Sequence, residues 1–227
     1  MTFDNGGIRE MIRLDHVTKK FKNGVVALDD LTLSIETGKI YGIVGPNGCG
    51  KSVLLRCISG LIQVTAGSIR SDDQTIGKDV ETLPDTGVLF EKPGMLFNRT
   101  VRKNLEFAME ISGCDKKENI EKYIAIADCG KYVDKRVMDL SMGQRQRVGL
   151  TCALMNEPRI LLLDEPLNYM DREHADHYRK MICDYIREDR IIICATHLER
   201  DIEDMCDELI FMDSGHIVET LQNTMKQ

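Results

Sequence analysis

The chain has 227 residues, of which 42% are hydrophobic and 30% charged, a balance that suits one globular unit and excludes a disordered or fibrous chain. Its formal charge of -7 disfavours a surface built to neutralise nucleic-acid phosphates, so no DNA or RNA partner is expected. The longest apolar runs, such as 160–163 and 191–194, are strand-length and far below the roughly 20 residues a membrane-crossing helix needs.

Residues 1–10 carry Asp4 and Glu10 and no apolar stretch after a basic start, so they read as a loose tail rather than a secretory signal. A cytosolic location is the expectation. The eight cysteines, Cys49, Cys57, Cys114, Cys129, Cys152, Cys183, Cys194 and Cys206, show neither paired CxxC spacing nor the setting of a disulfide scaffold. They are expected to be reduced and mostly buried.

In chain order, residues 12–21 and 27–35 alternate, with Leu31, Leu33 and Ile35 facing one way and Thr32, Ser34 and Glu36 the other. This predicts half-buried strands of an antiparallel sheet. Residues 40–44 form a short apolar strand that runs through a glycine-rich turn into a predicted helix over 52–62, apolar at Val53, Leu54, Leu55 and Ile58. From about 100 to 157 the periodicity is helical, through Leu105, Ala108, Met109 and Ile111 and then Ile120, Ile124 and Ala127, which predicts an inserted helical lobe. After Pro158 come strands at 160–163, 191–195 and 208–212, separated by helical stretches at 171–188 and 198–206. That alternation implies a parallel sheet covered on both faces.

Residues 45–52, Gly-Pro-Asn-Gly-Cys-Gly-Lys-Ser, fit GxxxxGK[ST] in full between a predicted strand and helix, the context that confirms a phosphate loop. Gly45, Gly48 and Gly50 let successive amide N–H groups turn toward phosphates at the helix N-terminus. Lys51 supplies charge to the β and γ phosphates and the Ser52 hydroxyl can ligate Mg²⁺.

Asp164 and Glu165 follow the apolar strand at 160–163, beside the phosphate loop in this type of sheet. Asp164 is expected to hold Mg²⁺ through its water shell and Glu165 to orient and deprotonate an attacking water. Leu140-Ser141-Met142-Gly143-Gln144 opens another helix. Ser141 is a natural N-cap there, and its hydroxyl, the Gly143 amide and the positive helix end are suited to an anion.

This last motif, ahead of the Asp164-Glu165 pair and behind a complete phosphate loop, resembles the signature of ABC ATPases, and further landmarks fall in order along essentially the whole chain. The resemblance implies an α/β fold: a P-loop NTPase core with a mixed or parallel sheet and an antiparallel β subdomain (1–90 and 157–227), and a helical signature subdomain (91–156). It implies ATP and Mg²⁺ as cofactors. Nucleotide contacts would come from Phe21, Gly45, Pro46, Asn47, Gly48, Cys49, Gly50, Lys51, Ser52, Val53, Glu91, Ser141, Gly143 and Gln144, and metal contacts from Ser52, Glu91 and Asp164. Catalysis would rest on Lys51, Glu165 and His197, with Asp171 as a dimer-facing aspartate. By the same resemblance the chain works as a head-to-tail homodimer, or heterodimer with a similar ATPase. Two ATPs lie between the phosphate loop of one protomer and the signature of its mate, and separate transmembrane permease subunits hold the pair at the inner face of the membrane.

One position departs from the family pattern: Glu91 stands where glutamine is usual. An ionised carboxylate only accepts hydrogen bonds and adds negative charge near the metal. The stretch from Phe90 to Thr100 is similar to the glutamate-bearing loop of bacitracin- and lantibiotic-type peptide resistance exporters, whose signature often reads Leu-Ser-Met-Gly as residues 140–143 do here, which implies export of a peptide antibiotic or similar amphipathic compound. The alternative is an ATPase of a non-transport complex of the iron–sulfur assembly type. Three further features stay outside this assignment: Cys49, whose thiol at a helix N-terminus raises the question of oxidant sensitivity; His174 and His177, read as a solvated helix face rather than a metal site; and Met95, Leu96 and Phe97, which either form a groove for a permease helix or pack under the helical lobe.

Overall fold

The computed structural model describes residues 10–91, 94–111, 120–155 and 157–226; nearly all of the expected N-terminal tail, and Cys114, lie outside the described residues. Strands β1 (Glu10–Lys20) and β2 (Val26–Glu36) pair antiparallel, and β4 (Ala66–Ser71) and β5 (Gln74–Thr75) extend them into a four-stranded sheet of order β2-β1-β4-β5. The alternation in β2 holds, with Leu31, Leu33 and Ile35 buried and Thr32 and Ser34 exposed.

The second sheet has six strands in the order β10-β9-β3-β8-β7-β6. Its members are β3 (Lys39–Val44), β6 (Thr86–Leu89), β7 (Ile160–Asp164), β8 (Ile191–Ala195), β9 (Glu208–Asp213) and β10 (His216–Gln222). All neighbours are parallel except the β9–β10 hairpin. Every residue of β7 and β8 is buried, as an interior strand covered on both faces requires.

The two faces are covered differently. Ile160, Leu162, Ile191 and Ile193 pack with β1, β2 and helix α1 (Lys51–Ile58), so one cover is largely a second sheet. Leu161, Leu163, Ile192 and Cys194 pack against α4 (Met142–Leu154), α5 (Arg172–Tyr185) and α6 (Glu199–Met205). Helix α1 stops short of the predicted residue 62 because Gly60 takes φ +83 and a Cβ there would lie 2.4 Å from the Glu81 carbonyl oxygen.

A third apolar cluster joins α2 (Val101–Ile111) and α3 (Ile120–Ile126) with Val137, Leu140 and Val148. Helix α4 serves two cores, since its Leu150, Ala153 and Leu154 belong to the sheet cluster and its Val148 to this one. Among the described residues no helix is long and apolar enough to cross a membrane. All seven described cysteines are free, and burial pushes the thiols of Cys57 and Cys129 up to about 11 and those of Cys152 and Cys206 to about 12.

Candidate functional site

The loop between β3 and α1 is seated by close backbone contacts. A Cβ at Gly45 would lie 2.2 Å from the Met212 carbonyl oxygen, and one at Gly50 would lie 2.5 Å from that of Ala27. Gly48 and Gly50 hold φ +84 and +114, a region that residues with a Cβ rarely adopt. Gly50 is the N-cap of α1 and makes no side-chain cap bond, so the first amides of the helix stay available to an anion. Lys51, 7% exposed, donates from Nζ to the carbonyls of Gly45 at 2.7 Å and Pro46 at 3.2 Å, which folds its ammonium over the loop.

Asp164 ends β7 and is 1% exposed. Burial pushes its carboxyl above the ordinary carboxylate range, and the hydroxyl of Ser52, which donates to it, and the Arg56 charge pull the other way. Its Oδ2 is buried without a hydrogen-bond partner. A buried carboxylate oxygen with no donor is the acceptor a hard cation satisfies. Ser52, Glu91 and Asp164 line one cavity, so the donors gathered there are all oxygen and fit Mg²⁺.

Glu165 has left-handed backbone, φ +52, at a cost on the order of 1 kcal/mol for a residue with a Cβ. Its N–H donates to the Ala195 carbonyl at 2.8 Å, and its own carbonyl accepts from Gln146 Nε2 at 2.9 Å and Asn168 N at 3.3 Å. The carboxylate is held at both oxygens: His197 Nδ1 lies 2.8 Å from Oε1, and Asn168 Nδ2 donates to Oε2 at 3.2 Å. These groups share a cavity of about 420 Å³ with Asn47, Gly48, Gly50, Lys51, Ser52, Val53, Glu91 and Asp164.

Ser141 caps α4 in a reciprocal box. Its Oγ accepts from Gln144 N at 3.2 Å and its N–H donates to Gln144 Oε1 at 3.0 Å. Ser141, Gly143 and Gln144 line a separate cavity of about 240 Å³. Gly143 is pressed onto the loop after Glu165, since a Cβ there would lie 2.4 Å from the Tyr169 carbonyl oxygen. Asp171 caps α5, accepting from His174 N at 3.0 Å, while the His174 ring lies 2.7 Å from Asp171 Oδ2 and 3.3 Å from Asp128 Oδ2.

Several expected residues are not on the nucleotide cavity's wall. Three of them are the loop residues Gly45, Pro46 and Cys49, Pro46 being exposed and Cys49 buried at 3% exposure, which leaves its thiol little access for an oxidant. Phe21 is half-buried at the turn after β1, with Lys19 Nζ 5.2 Å from its ring centre; Ala27, on the strand that returns from that turn, is on the wall instead. The side chain of Gln144 is spent on its own helix cap. Met95 packs against the third core and lines a groove of about 530 Å³ with Val88, Phe107 and Ile111, whereas Leu96 and Phe97 are exposed outside it. Sequence reasoning missed Asn168, Tyr169 and Gln146; an amide three residues beyond Glu165 was the available hint for the first.

A phosphate loop, an acidic strand end and a capped helix tip on a six-stranded mixed sheet define an ATP-binding cassette. The family model described as "ABC transporter" matches residues 28–168, and the chain belongs to that family. It is 34% identical over 223 residues to the methionine import ATP-binding protein MetN of Staphylococcus saprophyticus and 35% identical over 221 residues to that of Geobacillus kaustophilus, in each case over 92% of this chain. The chain spans 65% of the length of those relatives. In fold it is similar to the dimeric, post-hydrolysis ATP-binding cassette MJ0796 bound to ADP and Pi, with TM-score 0.83, 23% identity and coverage of 96% of this chain and 100% of that one. The ADP conformation of MJ1267, an ATP-binding cassette of an ABC transporter, aligns with TM-score 0.73 at 24% identity over 94% and 91%.

Proposed function

We propose that the chain binds and hydrolyses MgATP as the motor of a transporter whose membrane-spanning part is a separate permease. The carrying observation is the convergence of Lys51, Ser52, Asp164, Glu165 and His197 on one cavity beside the N-terminus of α1. Lys51 and the loop amides take the β and γ phosphates, and a base that extends past Ala27 to the turn after β1 stacks on Phe21 there. Glu165 orients the attacking water and takes its proton, and His197 holds that carboxylate while reaching the γ-phosphate. Magnesium, when bound by Ser52, Asp164 and Glu91, supplies Lewis-acid charge that the phosphates need during transfer.

Ser141 and Gly143 lie in a cavity apart from the nucleotide cavity of their own chain, which suits them to a partner's γ-phosphate in a head-to-tail dimer. On this reading residues 91–156 form the signature lobe, residues 1–90 and 157–227 the core, and the groove beside Met95 receives the permease at the inner membrane face. Export of a peptide antibiotic, implied by the Glu91 loop, gains no support from the relatives, whose names are those of methionine importers; these names favour uptake.

The test is Mg²⁺-dependent phosphate release by the purified chain, with co-purification in detergent. Recovery of a polytopic membrane protein supports transport, and recovery of water-soluble partners alone supports the assembly-type alternative. Uptake of labelled methionine by the reconstituted complex decides direction. An unchanged rate and unchanged transport in Glu91→Gln would remove any coupling role for Glu91.

A further inference from the structure

We infer that Gln146 is a positioning residue, tying the signature helix to the backbone of Glu165 within one chain. The inference rests on the reading of Glu165 as the hydrolytic base. Gln146 is 2% exposed on α4, and a buried amide needs a partner. Its Nε2 donates to the Glu165 carbonyl oxygen at 2.9 Å. On the other side of the same residue, the Glu165 N–H is bound to Ala195 of β8 at 2.8 Å.

Glu165 is thus gripped between the central sheet and α4 while its backbone sits at φ +52, a conformation that persists only where the surroundings impose it. The two glutamines of the motif have different tasks. Gln144 closes the cap of α4, whereas Gln146, two residues on, reaches the strand end that carries the base. A displacement of α4 when its tip meets nucleotide is therefore passed directly to the Glu165 carbonyl, and through it to the carboxylate that orients water.

The experiment compares Gln146→Met, which keeps length and bulk but removes the donor, with Gln146→His, which restores a ring N–H at similar reach. Nucleotide affinity, KM, kcat and thermal melting are measured on the full chain. In Gln146→Met the affinity stays within about twofold while kcat falls about tenfold, the size expected for one hydrogen bond. Gln146→His recovers kcat to within about threefold of the native chain. An intact kcat in the Met variant, equal impairment of Met and His, or a loss of affinity matching the loss of kcat overturns the inference. Should the Met variant not fold, Gln146→Asn, whose amide sits on a stem one carbon too short, takes its place against Gln146→His under the same criteria. Full turnover in Glu165→Gln would remove the base itself; an inactive Glu165→Gln beside a fully active Gln146→Met removes only the role of Gln146.

Discussion

The cavity at the ends of β3 and β7 and the smaller one at the tip of α4 share a wall, Tyr169, and differ in nearly everything else. The first stands beside β7 and β8, which are buried along their whole length, and collects a lysine, a serine hydroxyl and three carboxylates. The second stands on a helix cap whose own glutamine closes it, with Arg147, Asp171 and His174 around it. A site assembled from strand ends and a helix start can hold an entire polyphosphate; a lone capped helix tip offers one hydroxyl and a few amides. The contrast teaches that the two cavities are not duplicates, and on the proposed head-to-tail reading one chain carries one full site and contributes half of another.

The sharpest way to break the comparison is Glu165→Gln. Phosphate release should fall about 10²- to 10⁴-fold, as loss of a general base does, while ATP still binds and a dimer accumulates on size exclusion. Lys51→Ala should weaken nucleotide binding about 100-fold, since it removes a charge-assisted contact that nothing else in the cavity replaces; equilibrium binding of a fluorescent ATP analogue reads it. Gly143→Ala acts on the second cavity directly and on the first only through the shared Tyr169, whose carbonyl its Cβ meets, so ATP affinity of each chain should change by no more than about threefold while the dimer trapped in a Glu165→Gln background is lost.

The smallest effect is on pH dependence. The His174 ring and then Arg147 hold the Asp128 carboxyl below the ordinary range, and the backbone N–H and ring of His174 do the same for Asp171. A depressed folded value means that this support is present above the unfolded value of about 3.9 and is lost as pH falls through the lower folded value. Asp128→Asn should therefore lower the melting temperature at pH 7 by about 1–2 °C and narrow the gap between melts at pH 7 and pH 3.

The first cavity was largely legible in the sequence because its residues sit at fixed covalent spacing around a strand end: 45–52 and 164–165 need no tertiary knowledge to be paired. The capped tip at Ser141 was legible for the same reason. What escaped depends on distance in the chain. Gln146 reaches Glu165 across 19 positions, and no local pattern marks it. Strand β10 is exposed at nearly every residue, and β4 buries little beyond Ile69 and Ser71, so neither shows the alternation that announces a strand; both exist because a neighbouring edge accepts their hydrogen bonds. Phe21 follows from resemblance alone as a base-stacking residue, and no local pattern points to Ala27, which lines the cavity from the strand after that turn.

The burial of the thiols has a practical side. With values near 11 and 12 for Cys57, Cys129, Cys152 and Cys206, roughly one molecule in ten thousand or fewer carries a thiolate at each of these positions at neutral pH. At these positions a chain rich in sulfur offers little background to maleimide chemistry, so a single cysteine introduced beside Gly143 can carry a fluorophore that tests for approach of a second copy, and one on the rim of the groove near Phe107 a fluorophore that tests for a permease.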